Sequence, residues 1–166
     1  MYALFTLINP QYWFGYFLFF SALIVTIRSD FETMLISRYV TLFAIPIGWL
    51  LSLLGLLPIT VMQSVLGTAL GYAILLAIAR FFSWITGKEG MGQGDLELLA
   101  FIGSFTGSFG CWIALLLGSV IGSLFGIGTM IILKRTQNVR IPFGPFLAGG
   151  AMLFVLYQKF LFFYSL

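Results

Sequence analysis

The chain has 166 residues, of which 61% are hydrophobic and 8% charged, and its mean hydropathy is +1.10. Soluble domains are about 45–50% apolar and about 25% charged, and so short a chain cannot bury such an excess in one core. With no histidine and one cysteine, Cys111, we expect no His-dependent catalysis, internal disulfide, metal or cofactor. The eight cations are too thinly spread to favour nucleic acid as a partner. The sequence therefore predicts that the protein is embedded in a lipid bilayer.

Apolar runs bounded by charged or turn residues predict an all-α polytopic protein with six membrane-spanning helices. In chain order the predicted spans cover residues 12–27, 42–57, 61–85, 96–109, 112–133 and 142–163. The fourth span is short, so we expect it to be tilted or to begin below the membrane surface. The connections leave no room for a soluble domain, and residues 1–166 are predicted to form one membrane-embedded unit.

Positive charges occur on alternate connections. Six of the eight cations lie in the first, third and fifth connections: Arg28, Arg38, Lys88, Lys134, Arg135 and Arg140. The positive-inside rule places these connections in the cytoplasm and both termini on the other side. We therefore expect a multi-pass protein of the cytoplasmic (inner) membrane.

Small residues recur at four-residue spacing within the spans. Such spacing predicts close helix packing rather than flexibility. The glycines concerned are Gly67 and Gly71, Gly103 and Gly107, and Gly118, Gly122 and Gly126. Cys111 lies in the same kind of segment, and we interpret it as a packing residue.

The five acidic residues occupy two short stretches, both at predicted cytoplasmic helix ends. They are Asp30, Glu32, Glu89, Asp95 and Glu97. Acids in loops are commonly only solvated charges, but Asp30 ends the first span and Asp95 opens the fourth. Both are expected at the boundary between lipid and cytoplasm, where ionisable groups are functional candidates.

The available side chains best support acid–base chemistry by two carboxylates. One carboxyl group holds a proton while the other is ionised and accepts a proton from an attacking water. Residues 90–95 read Gly-Met-Gly-Gln-Gly-Asp. A loop of this composition either lets its backbone approach a substrate strand or forms only a turn, and composition does not separate the two.

Three segments match a known signature in the right order. Residues 92–100 contain Gly-Gln-Gly-Asp followed by Leu-Glu-Leu-Leu-Ala, residues 30–42 begin Asp-Phe-Glu-Thr-Met-Leu-Ile, and residues 141–148 read Ile-Pro-Phe-Gly-Pro-Phe-Leu-Ala. Together they resemble the type IV prepilin peptidases, which are GxGD membrane aspartic peptidases. The resemblance covers residues 20–155.

The resemblance implies an aspartic endopeptidase whose catalytic pair is Asp30 and Asp95, with Gly92 and Gly94 shaping the substrate-binding loop. It implies that a short basic leader is cleaved from pilin-like precursors on the cytoplasmic side, usually after glycine. The hydrophobic helix of the substrate stays in the membrane.

The chain also departs from the family pattern. The paired cysteines of the zinc-binding, methylating members are missing, so we expect peptidase activity without methylation, as in the compact preflagellin peptidases. The usual Lys after the GxGD motif is Glu97, and the usual Pro and Asp/Asn after Ile36 are Ser37 and Arg38. Glu32, Glu89 and Glu97 either form an acidic docking site for a basic leader or are solvated loop charges.

Helix dipoles suggest that Asp95, at a helix N-terminus, is the base, and that Asp30, at a helix C-terminus, is the acid. Two other functions stay open. The altered motif residues leave room for a catalytically degenerate scaffold, and a small transporter subunit is the other alternative. Homo-oligomerisation is also compatible with the sequence.

Overall fold

The computed structural model describes residues 10–33, 36, 38–87, 92–133 and 142–164. A short 3₁₀ turn, Pro10–Tyr12, leads into the first of five continuous helical elements. These are α1 (Trp13–Thr33), α2 (Arg38–Leu53), α3 (Val61–Thr86), α4 (Gln93–Leu133) and α5 (Gly144–Tyr164). No strand occurs among the described residues, which confirms the predicted all-α class.

The helices present apolar side chains to their surroundings, as a membrane protein requires. Three stretches are long and apolar enough to cross a membrane, namely Pro10–Thr33, Val61–Thr86 and Gln93–Ile132, and two shorter apolar helices accompany them. Large side chains such as Phe17, Met62, Trp84 and Ile132 are mostly exposed. An outer surface this apolar matches lipid and would be unusual on a soluble monomer.

The long element α4 consists of two helices that meet at Gly107. This glycine has φ 73° and ψ −176°, a backbone conformation that residues other than glycine rarely adopt. The Sγ of Cys111 lies 4.0 Å from the carbonyl oxygen of Leu99, whereas twelve residues of straight helix would separate them by about 18 Å. The chain therefore folds back, and the first arm (residues 93–106) and second arm (residues 108–133) correspond to the fourth and fifth predicted spans.

The first arm of α4 occupies the centre of the bundle. Twelve consecutive residues, from Leu96 to Gly107, are buried. Phe101 and Phe105 pack against Phe19 of α1, with ring centroids 5.5 and 5.2 Å apart. A helix buried on all sides contacts protein rather than lipid, so an arm of about 21 Å need not match a hydrocarbon layer of about 30 Å.

Glycines allow the helices around this arm to approach closely, as their spacing predicted. A Cβ atom at Gly71 would lie 2.6 Å from the carbonyl oxygen of Leu99, and one at Gly118 would lie 3.0 Å from the Cα of Leu147. Gly67 and Gly103 contact each other's backbone. Cys111 is fully buried, which confirms its packing role. Gly107 differs, because it forms the reversal.

The described helix ends gather at the two ends of the bundle in the alternating order that the charges predicted. At one end, the Gln11 side chain donates to the carbonyl oxygen of Gly55 at 2.9 Å, and Gly107 lies beside Gln63. At the other end, the last turn of α1 and the first turns of α4 and α5 come together. The candidate site is built at this second end.

Candidate active site

Asp30 points into the bundle because it continues the buried face of α1. The buried side chains Phe19, Leu23, Thr26 and Asp30 follow one another at helical spacing. The helix runs on to Thr33, so Asp30 lies about one turn before its end rather than at the predicted end of the span. An Arg28–Glu32 ion pair at 2.8 Å spans this last turn, and pairs at this spacing support helix.

Asp30 is 5% exposed, and its carboxylate has a backbone partner. Its Oδ2 accepts a hydrogen bond from the N–H of Gly144, the first residue of α5, at 3.1 Å. The unpaired N–H groups of a helix N-terminus favour a negative charge. This contact stabilises the ionised form of Asp30.

Asp95 lies in the first turn of α4, beside Asp30. Its N–H donates to the carbonyl oxygen of Gly92 at 3.2 Å, which closes a tight turn at the start of the helix. The Asp95 side chain is partly buried, and its carboxyl group is close enough to that of Asp30 for electrostatic interaction. The structure thus brings together the two aspartates that the sequence singled out.

Helix dipoles do not decide which of Asp30 and Asp95 is the acid and which is the base, in contrast to the sequence-based expectation. That expectation considered only the C-terminus of α1, whereas Asp30 also faces the N-terminus of α5. Both carboxyl groups therefore lie at helix N-termini. The backbone hydrogen bond to Asp30 then distinguishes the two, since it favours Asp30 as the ionised partner.

Ile36 packs between the start of α4, which carries Asp95, and the start of α5, which binds Asp30. A Cβ atom at Gly94 would lie 2.7 Å from the Cβ of Ile36, and one at Gly144 would lie 3.2 Å from its Cδ1. The Gly144 Cβ would also lie 2.6 Å from the Asp30 Oδ2. Glycine is needed at both positions for these contacts. Sequence reasoning quoted Ile36 and Gly144 within motifs but gave them no role.

The two loop glycines differ in how closely they are packed. Gly92 is exposed, and among the described residues the nearest atom to its Cβ position is Asp95 Oδ2 at 3.8 Å, an ordinary contact distance. Gly94 is tightly packed by Ile36. Close packing therefore requires glycine at position 94 but not at position 92.

The three acids predicted to dock a basic leader have different surroundings. Glu32 is exposed and pairs with Arg28. Glu97 is 6% exposed, and its Oε1 accepts from both Nε and Nη2 of Arg38 at 2.8 Å. Glu89 lies outside the described residues. The docking role of these acids stays a prediction.

An apolar cavity of about 330 Å³ opens near the start of α5. It is lined by Leu75 and Ile78 of α3, by Leu115, Ser119, Gly122 and Ser123 of the second arm of α4, and by Phe143 and Phe146. Phe143 directly precedes Gly144, so the cavity adjoins the segment that contacts Asp30. Within the described part of the chain, no group of three or more His, Cys, Asp or Glu residues is arranged to hold a metal.

Comparisons with known proteins identify a family for this chain. Residues 17–127 match the type IV leader peptidase family. The chain is 39% identical over 129 residues to a prepilin leader peptidase/N-methyltransferase of Aeromonas salmonicida (strain A449), covering 77% of this chain and 44% of the relative. Relatives of the same name from Aeromonas hydrophila and Dichelobacter nodosus are 38% and 34% identical over 128 residues, covering 77% of this chain and 44% and 43% of the relatives.

The chain spans less than half the length of these curated relatives. No solved structure matches it. The family match extends over more than half of the chain, and the matched range includes Asp30, Asp95 and the turn between Gly92 and Asp95. The chain therefore belongs to the type IV leader peptidase family.

Proposed function

We propose that this chain is an aspartic endopeptidase that removes the basic leader from prepilin-like precursors, with Asp30 and Asp95 as its catalytic pair. One observation carries the proposal. Two acids 65 positions apart in the sequence lie together at one end of the bundle. One of them, Asp30, is buried and accepts a hydrogen bond from a backbone N–H. A buried carboxylate at an interface is costly to keep without a function.

In the proposed reaction Asp30 is ionised and Asp95 carries the shared proton. The water oxygen adds to the peptide carbonyl carbon while Asp30 takes a proton from the water and Asp95 donates its proton to the carbonyl oxygen. The tetrahedral intermediate then collapses. Its C–N bond breaks, the leaving nitrogen takes the proton from Asp30, and a hydroxyl group of the intermediate returns a proton to Asp95. The pair is restored without a covalent intermediate.

The positive charges of the alternate connections support a cytoplasmic orientation of the site. We place the protein in the cytoplasmic membrane on the same basis. The 166 residues contain a single cysteine, which supports leader cleavage without methylation by this chain. A precursor whose hydrophobic helix stays in the bilayer would present its leader at the depth of the two aspartates.

Of the three acids Glu32, Glu89 and Glu97 that the sequence predicts to dock a basic leader, we propose this role for Glu32, by charge complementarity, whereas Glu97 is buried against Arg38. For Glu32 the support is its position: it is exposed two residues after Asp30, and its pair with Arg28 is a surface ion pair of small stability. A basic substrate can therefore compete with Arg28 for this carboxylate.

Neutralising either catalytic carboxylate should abolish most of the activity. We expect Asp30→Asn and Asp95→Asn each to lower the rate of leader cleavage by about 10²- to 10⁴-fold, because each removes an acid–base group. Cleavage of a purified precursor by the unaltered protein and both variants in bilayers measures this, with thermal unfolding as the control for folding. Persistent cleavage in both variants would exclude the aspartic mechanism, and an inactive unaltered protein would favour the degenerate scaffold.

The two loop glycines provide a matched pair of substitutions. We expect Gly94→Ala to lower kcat by about 10²-fold, because the new Cβ meets Ile36 and displaces Asp95. Gly92→Ala should cause a clearly smaller loss, since its Cβ meets only an ordinary contact among the described residues. Single-turnover cleavage rates compare the two variants. Equal losses would show that packing against Ile36 does not position Asp95.

The pH dependence of cleavage reports on the shared proton. Two interacting carboxyl groups titrate as a pair, and only the singly protonated pair has both a base and an acid. We therefore expect the plot of kcat against pH to rise and then fall, with two ionisations. A profile with one ionisation, measured over the pH range in which the protein stays folded, would contradict the scheme.

Reversing the charge of Glu32 tests the docking proposal. We expect Glu32→Lys to raise KM for a precursor with a basic leader by about 2- to 5-fold, as for other exposed charge pairs, with a smaller effect on kcat. A precursor whose leader cations are replaced by alanine serves as the control and should show no such increase. An unchanged KM for the basic leader would rule out docking at Glu32.

A further inference from the structure

Arg38 and Glu97, 59 positions apart in the sequence, contact each other. Arg38 begins α2, and Glu97 lies in the first turn of α4. The Nε and Nη2 atoms of Arg38 are both 2.8 Å from Oε1 of Glu97. The hydroxyl of Thr41, one turn further along α2, lies 3.4 Å from Oε2. Both carboxylate oxygens of Glu97 therefore contact α2.

The burial of the pair is asymmetric. The side chain of Glu97 is 7% exposed, whereas that of Arg38 is 60% exposed. A buried carboxylate without a cation is strongly unfavourable, so removing either partner costs more than an exposed ion pair would. The carboxylate of Glu97 is therefore held by α2 and differs in this respect from the exposed Glu32.

The ion pair lies beside the contact that positions the catalytic pair. Arg38 follows Ile36 by two residues, and Glu97 follows Asp95 by two residues. Ile36 packs against Gly94, immediately before Asp95, and against Gly144, which binds Asp30. The ion pair thus joins the two chain segments whose contact brings Asp95 towards Asp30.

We propose that Arg38 and Glu97 are positioning residues that hold the start of α2 against the start of α4. Coulomb attraction is the same when the two signs are exchanged. This inference rests on the proposed peptidase function and gives Glu97 a role other than leader docking.

The test is a charge-exchange cycle in the full chain, with Arg38→Asp, Glu97→Lys and the double variant. We expect each single variant to lower kcat by about 10-fold or more with little change in KM, because Asp95 is misplaced. The double variant should recover kcat to within about threefold of the unaltered protein, since the effects of substitutions at contacting residues are not additive. Rescue by exchange is not expected of two independent surface charges.

Two results would overturn the proposal. If the loss of kcat in the double variant equals the product of the losses in the two single variants, the two positions act independently. An increase in KM for a basic leader with Glu97→Lys that the double variant does not reverse would assign Glu97 to docking. If the single variants do not fold, Arg38→Lys and Glu97→Gln replace them. The expected result is then a smaller loss of kcat in each, and no loss in either would also overturn the proposal.

The cycle separates this inference from the proposed function. Thermal unfolding of the same four proteins measures the coupling between the two positions without any substrate. Coupling in thermal unfolding with an inactive unaltered protein would reject the peptidase function alone. Cleavage that depends on Asp30 and Asp95, without coupling between Arg38 and Glu97, would reject the positioning role alone.

Discussion

The hydrogen bond from the backbone N–H of Gly144 to the carboxylate of Asp30 joins the first helix of the chain to the last. A buried carboxylate requires hydrogen-bonded partners, and here the partner is the N-terminus of α5. This requirement places the start of α5 at the same end of the bundle as the end of α1. It also requires glycine at position 144, because a Cβ there would meet the carboxylate itself.

The interior of the bundle brings the second aspartate to the same place. The first arm of α4 is surrounded by protein, and its glycine and aromatic contacts with α1 and α3 hold it at the centre. Lipid tails are as apolar as the side chains, so close packing through small residues holds such helices together more than the hydrophobic effect does. The reversal at Gly107 lets this short arm carry Asp95 to one end while the second arm returns to meet α5.

Several features were predicted from the sequence and are confirmed. Hydropathy identified the helical segments, and the charges of the connections identified which helix ends lie together. The catalytic role of Asp30 and Asp95, which were singled out because few acids occur at the expected interface, stays a prediction. The assignment of the acid and base roles from helix ends left out the N-terminus of α5, because local sequence could not place α5 beside Asp30. Arg38 and Glu97 were treated as separate departures, although the folded chain joins them in one ion pair.

The sequence by itself determined the class of protein, its apolar helical segments, its two candidate carboxylates and its resemblance to a peptidase family. These properties depend on composition and on patterns within some tens of residues. The tertiary structure alone decided the partners of those carboxylates. Gly144 and Asp30 are 114 positions apart, and Arg38 and Glu97 are 59 positions apart. Such contacts depend on how several helices pack together, and no local pattern of apolar and charged residues specifies that packing.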